Sequence, residues 1–132
     1  MAETLNAHQL IQLARCLTHM QADLTEFELR HYAELGAVQK RRLENTLAEL
    51  AAAAGRLYAY SVQLVFQDTE KQLDQLQHAS EGLKKFLKTA QKIQQVLNIV
   101  SSVASLAEAI ISHNVDGIIS ETDQIIQMAG NA

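Results

Sequence analysis

Apolar side chains recur along this chain at alternating steps of three and four. Leu10, Leu13, Leu17, Met20, Leu24 and Phe27 set the rhythm in the first segment. Those steps put every apolar residue on one side of a 3.6-residue helix and form an a/d seam, which wants a partner helix. Asn6 and Gln9 have the spacing of a capping box at its start. Gly36 is the stop signal, with Arg30 and His31 near the last turn, where cations suit the helix dipole. The first helix is therefore predicted over about residues 5–34.

The second segment keeps the same rhythm through Leu43, Leu47, Leu50, Ala54, Leu57, Ser61 and Leu64. Its middle, LAELAAAAGRLYAYSVQLVF, is apolar almost all round, which predicts the most enclosed helix of the fold. Ala51, Gly55 and Ala59 lie four apart and form one smooth strip, the spacing that lets two helix backbones cross closely. After Leu64 the phase slips: Asp68 and Lys71 fall where the seam needs apolar residues, and Leu73 and Leu76 restart it two residues late. A slip of this kind marks a bend or a break, and Asp68 or Thr69 is a competent cap. The expectation is a helix from Ala37 to about residue 78, bent near Asp68, and a third helix capped by Ser80.

The third helix contains KIQQVLNIVSSVASLAEAII, which has the length of a membrane anchor. Phe86, Thr89, Ile93, Val96, Val100, Val103, Ala107 and Ile110 follow the three-four rhythm, and Leu97, Ile99, Leu106 and Ile111 widen the stripe. The opposite side carries Gln91, Gln95, Asn98, Ser102, Ser105, Glu108 and Ser112. A continuous polar side with a charge on it belongs to an amphipathic helix and excludes a lipid-facing span. HNVDG then turns the chain, Asn114 caps, and Val115, Ile118, Ile119, Thr122, Ile125, Ile126 and Ala129 predict a short last helix that folds back.

Composition narrows the class. In 132 residues there is no proline, and there are five glycines and 5% aromatic residues, so the expected core is aliphatic and the fold all-α. The length fits a single domain, 1–132. A net charge of -4 argues against a nucleic-acid binder built on bulk electrostatics. One cysteine, Cys16, allows no internal disulfide, and the start MAETLNAHQL has neither a basic nor an apolar run, so a cytoplasmic setting is the default.

Candidate chemistry is sparse. There is no glycine-rich phosphate loop, paired-cysteine metal spacing or nucleophile elbow, so no cofactor is expected. Glu28 and His31 form Glu-x-x-His, half of the ligand set of di-metal carboxylate bundles, with no second copy to complete it. Cys16, His19 and Asp23 share one helix side at metal-ligand spacing, but they read more simply as solvated neighbours of the seam. His8, His78 and His113 sit near helix ends or bends. Two basic clusters remain: Lys40-Arg41-Arg42 early in the second helix, where the dipole disfavours cations, and Lys84, Lys85, Lys88 and Lys92 just before the apolar stripe.

The sequence therefore reads as an antiparallel bundle of three long helices plus a short C-terminal one. The expected role is a non-enzymatic interaction module that associates with itself or with a helical partner. Its packing residues are Ala51, Gly55 and Ala59 on the second helix, and Val96, Val100, Val103 and Ile110 on the third. A stripe too wide for one neighbour predicts at least a dimer. The alternative class is a membrane-active protein whose lysines meet an anionic surface while segment 84–128 enters lipid.

Overall fold

The structure is a computed structural model that describes residues 3–130. It is all-α, with five helices: α1 (Ala7–Arg30), α2 (Ala37–Tyr58), α3 (Thr69–Thr89), α4 (Ile93–Ile111) and α5 (Val115–Gly130). A 3-10 turn, Tyr32–Glu34, follows α1. Two dipeptide strands, β1 (Glu3–Thr4) and β2 (Val65–Phe66), pair antiparallel ahead of α1 and α3.

Each helix packs on two others, in the cyclic order α1, α2, α4, α5, α3 and back to α1. Cross-contacts give the directions. Arg30 reaches the Leu87 carbonyl and Ser80 Oγ lies 3.5 Å from the Cys16 carbonyl, so α1 and α3 run the same way. Arg42 donates to Ser101 and, seven residues on in both helices, Glu49 faces Glu108, so α2 runs parallel to α4. Helices α1, α3 and α5 thus run one way and α2 and α4 the other. The ring encloses one apolar core in which Leu13, Leu17, Leu43, Leu50, Leu76, Leu83, Val100, Val103, Ile118 and Ile125 have no exposure. The wide stripe of the third predicted helix is explained here: α4 lies between α2 and α5 and buries both flanks.

Three predicted caps hold in atomic detail. Asn6 and Gln9 form the reciprocal capping box of α1, each bond 2.9 Å. Asp68 accepts from the Lys71 N–H and starts α3, and Asn114 Oδ1 accepts from the Gly117 N–H at the start of α5.

Helix count and breaks differ from expectation. The long second helix is two helices, because α2 ends at Tyr58 rather than bending at Asp68. Tyr60 takes the left-handed conformation (φ 56°), and the N–H groups of Tyr60 and Ser61 close on the carbonyls of Leu57 and Arg56, a Schellman stop built without glycine. The chain then runs extended, with Val62, Leu64 and Phe66 buried and Ser61, Gln63 and Val65 exposed between them. That period of two closes one end of the bundle, and the Leu5 N–H donates to the Leu64 carbonyl there. Ser80 does not cap a helix; it is buried in the middle of α3. The third predicted helix is likewise two, broken at Ala90–Lys92, where Ala90 turns extended (ψ 129°). Gly36 does not stop α1, which ends at Arg30; it precedes α2, and its N–H donates to Gln39 Oε1 at 2.8 Å. The most enclosed helix is α4, since α2 leaves Ala48, Ala51, Ala52, Gly55 and Arg56 exposed.

Candidate interaction surfaces

The residues predicted to pack fall into two sets. Val96, Val100, Val103 and Ile110 have no exposure at all, so they belong to the chain's own core and present no surface. Ala51, Gly55 and Ala59 are all exposed, and a Cβ added at Gly55 would meet nothing within 4 Å. The expected tight crossing inside the chain is therefore absent at this strip. With Ala48 and Ala52 it forms the outer face of α2, smooth and covered by no other described helix.

A second feature appears only when the helices are assembled. Large exposed hydrophobic side chains among the described residues are Leu29, Tyr32, Val38, Tyr58, Tyr60 and Val65. They divide between the two ends of the bundle. Leu29, Tyr32 and Val38 surround the α1–α2 turn, exposed by 70%, 52% and 75%. Tyr58, Tyr60 and Val65 lie at the other end, where α2 stops and β2 begins. The sequence carried a faint signal of this: Leu29 falls off the seam of the first helix, and Tyr58 and Tyr60 fall off that of the second.

Charge divides the same way. Arg30, Lys40, Arg41, Arg42, Lys84, Lys85, Lys88 and Lys92 sit where α1 and α3 end and α2 and α4 begin; they are eight of the chain's eleven lysines and arginines. All are exposed except Lys40, which is half-buried with its Nζ 3.7 Å from the centre of the Tyr32 ring. Among the described residues none of the eight has a carboxylate within 4.0 Å; the one nitrogen–carboxylate contact that close is His31 Nδ1 to Glu34 Oε2 at 3.0 Å. At the opposite end Asp68 and Glu70 open α3, Asp74 follows a turn later and Asp116 opens α5, all exposed; Arg56 and Lys71 stand at that end too, as Glu34 and Glu44 stand at the basic one, so each end has an excess of one sign. Helix dipoles account for Glu70 and Asp116 in first turns and for Lys88 in the last turn of α3. They do not account for Lys40, Arg41 and Arg42, which stand early in α2 against its dipole.

The titratable groups singled out from sequence are dispersed. Cys16 and His19 line a groove of about 690 Å³ between α1 and α3, facing Glu70, Asp74 and Glu81. Burial, with Glu81 adding, pushes the Cys16 thiol up to about 11. Asp23 is not part of that lining; burial raises its carboxyl, with Lys84 opposing. Glu28 and His31 do not converge on one site. The His31 ring stacks on Phe27 with centroids 4.4 Å apart, and its Nδ1 lies 3.0 Å from Glu34 Oε2. Glu28 is buried with Oε2 unpartnered, and its carboxyl is raised by burial and by Glu44. No group of three or more possible metal ligands occurs among the described residues.

Comparison with known proteins gives no match: no family model fits the chain, and no curated protein or solved structure is similar to it.

Proposed function

We propose that this chain is a non-enzymatic interaction module that packs against a helix through the outer face of α2, the first partner being a second copy. The observation that carries this reading is the exposed run Ala48, Ala51, Ala52, Gly55 and Ala59. Small side chains in that pattern let two backbones approach closely, and no other described helix leaves such a run of small apolar side chains exposed. Tyr58, 45% exposed at the end of the face, supplies the rigid amphipathic contact typical of interface centres.

Sedimentation velocity at micromolar concentration tests it. The expected species is a dimer of the 14.6 kDa chain, lost on Gly55→Arg without a drop in melting temperature, because the new side chain meets nothing in its own fold. A wild-type chain that sediments only as a monomer overturns self-association. An undiminished dimer in Gly55→Arg overturns the α2 face.

The membrane-active alternative draws on α4, the one described helix long and apolar enough to span a bilayer. It requires that helix to leave the core, which exposes Val96, Val100, Val103 and Ile110 together. Co-flotation with anionic liposomes and dye leakage separate the classes. Neither salt-resistant binding nor leakage is expected.

A further inference from the structure

The two ends of the bundle are complementary. One presents Leu29, Tyr32 and Val38 on the end that carries eight cations with no carboxylate within 4.0 Å, and the other presents Tyr58, Tyr60 and Val65 on the end where Asp68, Glu70 and Asp116 outnumber Lys71 at the starts of α3 and α5. An apolar centre with a charged rim is the anatomy of a protein–protein interface. Lys40, Arg41 and Arg42 bring charge to one end against the α2 dipole; Lys40 lies over Tyr32 and Arg42 donates to Ser101, while Arg41 has no such contact among the described residues.

We infer that copies of this chain associate head to tail, the basic end of one docking on the acidic end of the next. The inference rests on the module being self-associating and shares only Tyr58, at the end of α2, with the α2 face. The ends are different patches, so the contact is heterologous. One copy leaves a free end for another, and the product is a ring or an open chain rather than a closed dimer. A second copy is favoured over an anionic bilayer because the same molecule carries the matching surface, while its net charge of -4 opposes approach to a negative membrane. The charges lie on exposed rims, so the contact weakens steeply with salt, the screening length falling from about 30 Å at 0.01 M to about 8 Å at 0.15 M.

Charge reversal at each end tests this. Lys85→Glu/Lys92→Glu turns two of the eight cations of the basic end into acids, and Glu70→Lys/Asp74→Lys turns two of the four acids named at the other end into cations; all four positions are exposed. In low salt the wild-type chain is expected to sediment as species larger than a dimer that disappear at about 0.5 M salt. Each variant alone is expected to lose these species, and an equimolar mixture of the two to regain them. Circular dichroism confirms that both variants fold. Assemblies that persist in either variant alone, or that fail to return in the mixture of two folded variants, overturn the inference. So does a wild-type chain with no low-salt species beyond a dimer, including one that binds phosphatidylserine vesicles instead. Pairing through the α2 face survives both charge variants and fails in Gly55→Arg, so failure of one reading is distinguishable from failure of the other.

Discussion

A Cβ built on Gly82 would stand 3.3 Å from the Cβ of Ala129, so α3 and α5 cross at a distance that only a bare backbone admits comfortably. The close crossing expected along Ala51, Gly55 and Ala59 is instead made here, by a glycine in the middle of α3 that sequence reasoning counts only as a weak point. Its intrinsic penalty against alanine, about 1 kcal/mol in a helix interior, is offset by the approach it permits.

The two glycines should respond oppositely to the same change. Gly82→Leu overpacks the crossing and is expected to destabilise the fold by about 1–3 kcal/mol. Gly55→Ala adds a methyl in open space and is expected to stabilise it by about 0.5–1 kcal/mol through helix propensity. Urea unfolding of the two variants checks both signs. Equal midpoints would mean that α3 and α5 do not meet at Gly82.

Stability should fall as the medium becomes less acidic, because of two buried carboxylate oxygens without partners. Glu28 faces Glu44, and Glu49 of α2 faces Glu108 of α4; burial first and the neighbouring acid second raise both carboxyls. A raised carboxyl holds its proton in the folded chain at a pH where the unfolded chain has lost it. Its contribution is complete below the ordinary glutamate range and is lost as pH rises through the raised value. The urea midpoint is expected to be higher near pH 5 than near pH 7.5, with Glu28→Gln and Glu49→Gln each flattening that slope. A slope unchanged in both variants would place its origin elsewhere.

The seams were legible because burial and helical period coincide: Leu10 to Phe27 and Val96 to Ile110 are buried as their spacing predicts. The breaks were not. The stop at Tyr58 uses a left-handed tyrosine where a glycine is the usual signal, and the stop at Thr89 leaves the three-four rhythm of Phe86, Thr89, Ile93 and Val96 undisturbed. The strand-like period of Val62, Leu64 and Phe66 was hidden because Leu64 also fits the helical seam. The polarity of the two ends escaped for a different reason. Arg30, Lys40–Arg42 and Lys84–Lys92 are distant in sequence, and only the direction of each helix brings them to one place.

Cys16 should be a slow thiol. It is half-buried on the wall of the α1–α3 groove, and burial with Glu81 nearby pushes it up to about 11, which leaves little thiolate at neutral pH. Iodoacetamide labelling at about pH 8 is expected to be at least tenfold slower in the folded chain than in urea, where a thiol returns to about 8.5. Glu81→Gln is expected to speed it only modestly, since burial is the larger cause. Labelling at the unfolded rate would show the groove open to reagent at Cys16.

The helix stops offer the last test. His113 and Tyr60 are the two non-glycine residues with left-handed backbone among those described, at φ 58° and 56°. Each closes a Schellman motif. At α4 the Asn114 N–H donates to the Ala109 carbonyl at 2.8 Å and the His113 N–H to the Ile110 carbonyl at 3.2 Å. A side chain in this conformation costs about 1–2 kcal/mol, part of which glycine recovers, less the freedom it adds to the unfolded chain. His113→Gly is therefore expected to raise stability by about 0.5–1 kcal/mol, and His113→Val, β-branched and worse in this region, to lower it. Tyr60→Gly should stabilise by the same route, yet Tyr60 is 54% exposed at the acidic end and part of the proposed head-to-tail contact. Its two readouts should separate, with a higher melting temperature and weaker low-salt assembly in one variant. His113→Gly stands in the α4–α5 turn of the same end but removes none of its exposed apolar side chains, and it should shift the first far more than the second. If Tyr60→Gly melted higher and assembled like the wild-type chain, the tyrosine would be only a helix stop, and the apolar centre of that end would have to lie with Tyr58 and Val65.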